Sequence, residues 1–137
     1  MSHHLFTYGT LMCADIFRAV AGQALESVPA TLAGFARHPV RGAHYPGIVA
    51  APAHSVTGRV YRGLSTAALA RLDRFEGALY RRQRVTLTTP AQPALIAWAY
   101  VVPRTHAHRL APGAWDFDRF IVTAKARFLR SDPNGSL

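Results

Sequence analysis

Leu5-Phe6-Thr7-Tyr8-Gly9-Thr10-Leu11-Met12 is the stretch from which the rest of this 137-residue chain is read. Leu5, Phe6 and Thr7 favour an extended backbone. Gly9 then permits a sharp turn with close ligand approach. A short helix is expected to start at Asp15 and run through Ile16, Phe17 and Val20. Strand, glycine turn and helix leave the N–H groups of Gly9, Thr10 and Leu11 without sheet partners, and successive outward backbone donors form a nest for a carboxylate or an oxyanion. An ordinary glycine turn is the alternative reading of the same residues.

Moving outward, 50% apolar residues in 15.0 kDa suffice for one core, and a single domain over residues 1–137 without a linker is expected. The longest apolar run, Ala94 to Val102, is too short to span a bilayer, and Met-Ser-His-His before a strand is not a signal peptide. Cytoplasmic residence and no membrane partner are the corresponding expectations. One cysteine, Cys13, excludes an internal disulfide. The net charge of +9 comes almost wholly from arginine, Lys125 being the single lysine. These arginines are scattered rather than gathered into a basic stripe with stacking aromatics, so a nucleic-acid partner is not expected. A positive field that attracts small acidic ligands is the milder inference.

Further along, Ser27 to Phe35 reads as a strand, Arg37 to Pro46 as a pocket-lining loop rich in turn formers, and Ile48 to Ala51 as a second extended run. Val56, Gly58, Val60 and Leu64 mark another strand, with Thr57, Arg59 and Tyr61 on its other face. Ser65 is placed as an N-cap, followed by a helix presenting Leu69, Leu72, Phe75 and Glu76 on one face and stopping at Gly77. Tyr80 to Thr88 and Leu95 to Val102 are two more strands, Trp98 and Tyr100 being read simply as strand residues. A last helix from near Asp116 is expected to bury Phe117, Phe120, Ile121, Ala124 and Phe128, ahead of a frayed tail from Ser131. Strands interrupted by three helices, without strict alternation, indicate an α+β domain.

Glu76 is the most informative acid. Its helix face points the carboxylate inward, and both desolvation and the helix C-terminus raise its pKa, which suits proton transfer near neutral pH. The alternative is a surface ion pair with Arg74, Arg81 or Arg82. A Cys13 thiol with His38 or His44 as base is a weaker arrangement, since nothing around Cys13 resembles a nucleophile signature. His106 and His108 lack zinc-type spacing, so no metal is expected.

Tyr8-Gly9-Thr10-Leu11, Tyr45-Pro46-Gly47, Gly58-Arg59-Val60-Tyr61, Leu72-Asp73-Arg74-Phe75-Glu76-Gly77 and Tyr80-Arg81-Arg82, in this order and separation, resemble the gamma-glutamylcyclotransferase-like family. Tyr45-Pro46 and Trp115-Asp116-Phe117 make the branch of plant avirulence-induced proteins and their bacterial relatives the most similar one. The resemblance implies an α+β domain on a small mixed β-barrel with about three helices packed around it. It also implies a cofactor-independent acyl-transfer or lyase-type reaction, in which a γ-glutamyl amide or peptide closes to 5-oxoproline and releases an amine. On this chain the implied proton-transfer residue is Glu76, and the implied substrate-binding residues are Tyr8, Gly9, Thr10, Leu11, Tyr45 and Tyr80. The implied partner is a small γ-glutamyl or carboxylated ligand. The loop runs into Met12-Cys13 rather than the longer pattern of the glutathione-specific branch, which points away from glutathione. A module that only binds a small carboxylate in the same cavity is the competing reading.

Overall fold

Leu5, Phe6 and Thr7 are all buried because their strand, β1 (His3–Thr7), lies at the centre of a five-stranded sheet in the computed structural model, which describes residues 3–123, 125 and 126. The other strands are β2 (Ser27–Pro39), β3 (Pro46–Leu64), β4 (Arg81–Leu87) and β5 (Leu95–Val101), in the order β2-β3-β1-β5-β4. β1 pairs antiparallel with β3 and parallel with β5, so the sheet is mixed. Its two edges meet through a reciprocal pair: the Thr31 amide donates to the Thr88 carbonyl at 2.9 Å and the Thr88 amide returns the bond at 3.0 Å. The sheet is thereby drawn round into a small barrel, which removes open edges.

Alternation along the strands sorts the core into two layers. Phe6, Val60, Val85, Leu87, Leu95, Ala97, Ala99 and Val101 fill the barrel interior. Their neighbours Leu5, Tyr61, Tyr100 and Val102 point the other way, against the helices. On that outer layer pack α1 (Ala14–Ala21), α2 (Thr66–Glu76) and Trp115 with Phe120 of α3 (Phe117–Thr123). Phe17 of α1 stacks on Tyr61, with ring centroids 3.7 Å apart and planes 7° from parallel. α2 is bounded as expected: the Ser65 hydroxyl accepts from the Ala68 amide at 3.0 Å, and Gly77 takes φ +74 beyond the last turn.

Several boundaries differ from the sequence reading. β2 continues to Pro39 and β3 starts at Pro46, so the expected loop from Arg37 shrinks to residues 40–45. His38 and Pro39 pair with Gly47 and Pro46, and a proline costs nothing at a ladder's last pair, where no N–H is needed. The separate runs around Ile48 and Val56 belong to one strand, β3, whose register against β2 shifts between the pairs Ala33–Ser55 and Phe35–Ala50. Two 3-10 turns, Thr10–Met12 and Arg104–Arg109, were not anticipated. Ile121 is 38% exposed rather than buried, because α3 docks through Phe120 alone and Phe117 only partly. Ala124, Phe128 and the tail from Ser131 lie outside the described residues. Among the described residues no helix is long and apolar enough to cross a membrane.

Candidate active site

The pairing of β1 with β3 ends at Thr7, and the chain turns into the 3-10 segment from Thr10. Within that turn the Met12 amide donates to the Gly9 carbonyl at 3.0 Å and the Cys13 amide to the Thr10 carbonyl at 3.1 Å. The first amides of such a turn have no partner inside it. From outside, Arg37 Nη1 donates to the Tyr8 carbonyl at 2.8 Å and the Tyr61 hydroxyl to the Leu11 carbonyl at 2.9 Å. Gly9 is required by closeness: a Cβ there would come within 2.6 Å of Pro46 Cδ.

Tyr8, Gly9, Thr10, Leu11, Tyr45, Glu76 and Tyr80 line one cavity of about 60 Å³, so the structure brings together every residue that the resemblance singled out. At ~10–15 Å³ per water-sized site, this is room for a few waters or a short polar chain. Four elements converge there: the turn after β1, the start of β3 with Pro46, the C-terminal end of α2 with Phe75 and Glu76, and β5 with Tyr100.

Glu76 is the last residue of α2. Its carboxyl borders the cavity and protein encloses its other sides, so the residue is half-buried and desolvation raises its pKa from 4.5 to about 8. None of the arginines proposed as surface partners for Glu76 bonds to it. Arg82 instead makes a bidentate pair with Asp73, at 2.8 and 3.2 Å, while lying 4.3 Å from the Trp98 ring centroid. Asp73 also accepts from the Tyr100 hydroxyl at 2.7 Å. One turn of helix therefore separates a saturated carboxylate from one that has only burial acting on it.

The tyrosines have committed donors. Tyr8 donates to the Tyr100 carbonyl at 2.6 Å and Tyr80 to the Pro46 carbonyl at 2.8 Å. Burial raises the pKa of Tyr8, Tyr45, Tyr80 and Tyr100; the Glu76 charge adds to it at Tyr8 and Tyr45, the Tyr8 and Glu76 charges at Tyr80, and the Asp73 carboxylate ahead of Glu76 at Tyr100. All four rings stay neutral. Tyr100 and Phe75 are cavity residues to which the sequence reading gave no role; Tyr100 was read only as a strand residue, although its even spacing from Trp98 and Val102 does place it on the outer face.

Cys13 is 5% exposed and does not line the cavity, and burial raises its thiol pKa. His38 is engaged elsewhere, its Nδ1 lying 2.7 Å from the Gly113 carbonyl. No thiol and imidazole are brought together. Among the described residues no three or more His, Cys, Asp or Glu side chains converge in a metal-binding arrangement.

With this geometry in view, a family model described as gamma-glutamyl cyclotransferase, AIG2-like, matches residues 5–117, and the chain belongs to that family. The AIG2-like protein D of Arabidopsis thaliana is 33% identical over 130 residues, covering 93% of this chain and 85% of that protein. A solution structure of another Arabidopsis thaliana protein superposes with a TM-score of 0.72 at 28% identity, over 96% of this chain and 79% of its own. A solved gamma-glutamyl cyclotransferase shares the fold, with a TM-score of 0.66 at 19% identity over 74% of this chain and 67% of its own.

Proposed function

We propose that this protein is a cyclotransferase acting on a γ-glutamyl amide or peptide, with Glu76 as the proton acceptor and donor. The observation that carries this reading is the meeting, in one small cavity, of a carboxyl group with a pKa raised to about 8 and a turn whose first amides have no partner inside the turn and no side-chain cap. The glutamyl carboxylate and the developing oxyanion are the negative groups those amides suit. The substrate's α-ammonium is the positive group that the Glu76 carboxylate suits, with the Tyr80 oxygen, whose proton goes to the Pro46 carbonyl, as an acceptor beside it.

In the reaction the α-amine nitrogen bonds to the substrate's own γ-carbonyl carbon, and the bond from that carbon to the leaving nitrogen breaks. Glu76 removes a proton from the attacking nitrogen and supplies one to the departing nitrogen, so 5-oxoproline and an amine form without consuming water. Folding the glutamyl chain inside the cavity makes the attack intramolecular, and proximity supplies much of the rate.

The test uses two substrates that differ only in the α-amine. A γ-glutamyl amine or dipeptide should yield 5-oxoproline, detected by mass spectrometry, whereas its N-acetyl derivative should yield none because the internal nucleophile is blocked. Release of the amine from the acetylated compound would indicate simple hydrolysis and refute cyclisation. No turnover across a panel of free-amine substrates would leave a carboxylate-binding module.

A further inference from the structure

Three peptide units supply the amides of Gly9, Thr10 and Leu11, and each is oriented by whatever holds its carbonyl. In a planar trans peptide the C=O and N–H point in opposite directions, and no described peptide is cis. The unit joining Gly9 to Thr10 is held through the Gly9 carbonyl by the Met12 amide, and the unit joining Thr10 to Leu11 through the Thr10 carbonyl by the Cys13 amide. Those two orientations are internal to the turn. The unit joining Tyr8 to Gly9 lies outside it, and its carbonyl is held by Arg37 Nη1 at 2.8 Å. A glycine on the far side of that unit removes the Cβ that would otherwise restrict its rotation.

We infer that Arg37 is a positioning residue: its guanidinium holds the Tyr8 carbonyl on the side away from the cavity and thereby turns the Gly9 N–H inward as the first anion donor. The inference rests on the proposed role of these amides and adds a residue 29 positions away that the motifs do not contain. Arg37 itself does not line the cavity. It is anchored in turn, since the same Nη1 lies 3.2 Å from the Thr57 carbonyl and the guanidinium carbon lies 5.7 Å from the Trp115 ring centroid. Trp115 packs on Phe120 with centroids 5.7 Å apart and donates Nε1–H to the His44 carbonyl at 3.0 Å. Nη1 carries two N–H groups in a fixed plane, so this one nitrogen serves both carbonyls. The tryptophan before α3 therefore reaches the amide nest through one side chain.

Arg37→Met removes the donors at similar bulk, and Arg37→Lys restores one. Crystal structures should show the Tyr8 oxygen toward residue 37 in the unsubstituted protein and in Arg37→Lys, and rotated in Arg37→Met. In ¹⁵N-labelled protein titrated with L-glutamate, Arg37→Met should lose the Gly9 amide response, keep those of Thr10 and Leu11, and bind about tenfold more weakly. Arg37→Lys should recover most of that affinity. A folded Arg37→Met with the Gly9 amide still inward and glutamate affinity within twofold of the unsubstituted protein would overturn the inference. So would a crystal structure of the unsubstituted protein with the Tyr8 oxygen facing the cavity, which decides the matter even if the methionine variant fails to fold. Glutamate binding at Gly9 without any 5-oxoproline from γ-glutamyl compounds would support the role of Arg37 and sink cyclisation. Absence of a glutamate response at Gly9 in the unsubstituted protein would remove the donor role itself.

Discussion

At the scale of single residues, Glu76 and Asp73 show how position on one helix divides two carboxylates. Asp73 takes the Arg82 guanidinium and the Tyr100 hydroxyl, and Glu76 holds its proton to about pH 8. The raised pKa has a stability consequence with a definite sign. Below about pH 4.5 both folded and unfolded chains carry the proton, and the contribution is fully present. As pH rises the unfolded chain ionises first, so stability is lost progressively until the folded carboxyl also ionises near pH 8. At about 1.4 kcal/mol per pH unit the loss has an upper bound on the order of 5 kcal/mol, reduced by water reaching the half-buried carboxyl through the cavity. Glu76→Gln lacks this loss, so urea unfolding should find the variant close to the unsubstituted protein at pH 4 and measurably more stable at pH 9. An equal difference at both pH values would contradict burial as the cause. For catalysis, kcat/KM should climb with pH through a midpoint near 8, the value for the free enzyme. The inward face of Glu76 was legible from its spacing to Leu69 and Leu72. The partner of Arg82 was not, because Asp73 and Glu76 are both within helical reach of the same arginines and only the strand bearing Tyr100 decides between them.

Among elements, the proposed function falls on the turn after β1, through its backbone rather than its side chains. Gly9→Val would drive a branched side chain into Pro46, already 2.6 Å from a Cβ position, so turnover and glutamate binding should both fall by more than tenfold. Thr10→Ser keeps the backbone donor and should change kcat/KM by less than about threefold. Comparable losses in the two variants, measured by steady-state kinetics, would count against backbone recognition. At the far end of the same core, Ser65→Ala removes the cap of α2 and should cost about 1 kcal/mol in denaturant unfolding. The sequence displays these elements unevenly. The cap and stop of α2 are local signals and were read correctly. Only the closed end of the β2–β3 hairpin, Arg37 to Pro46, reads as a loop, because Pro39, Gly42 and Pro46 are local turn formers, whereas the ladder that carries the strands up to them is a long-range pairing. The bond from Arg37 to Tyr8 has no local signature at all.

For the whole molecule, the barrel is closed by the paired amides of Thr31 and Thr88, two unremarkable threonines 57 positions apart that no periodicity distinguishes. Thr88→Pro deletes one of the two bonds and should lower stability by roughly 1–2 kcal/mol. Hydrogen exchange should report lost protection at Thr31 as well, and undiminished protection there would show that the edges hold without this pair. What identified the fold from sequence was not this closure but the order of five short motifs, four of which converge on one cavity through Tyr8, Tyr45, Glu76 and Tyr80. The central claim is that the cavity cyclises a γ-glutamyl group through the Glu76 carboxyl. The most direct measurement is 5-oxoproline release from one free-amine γ-glutamyl substrate at pH 8, comparing the unsubstituted protein with Glu76→Gln, while glutamate binding to each is followed by NMR. The account predicts steady release from the unsubstituted protein, none above background from the variant, and bound glutamate in both. Undiminished release from Glu76→Gln would contradict it.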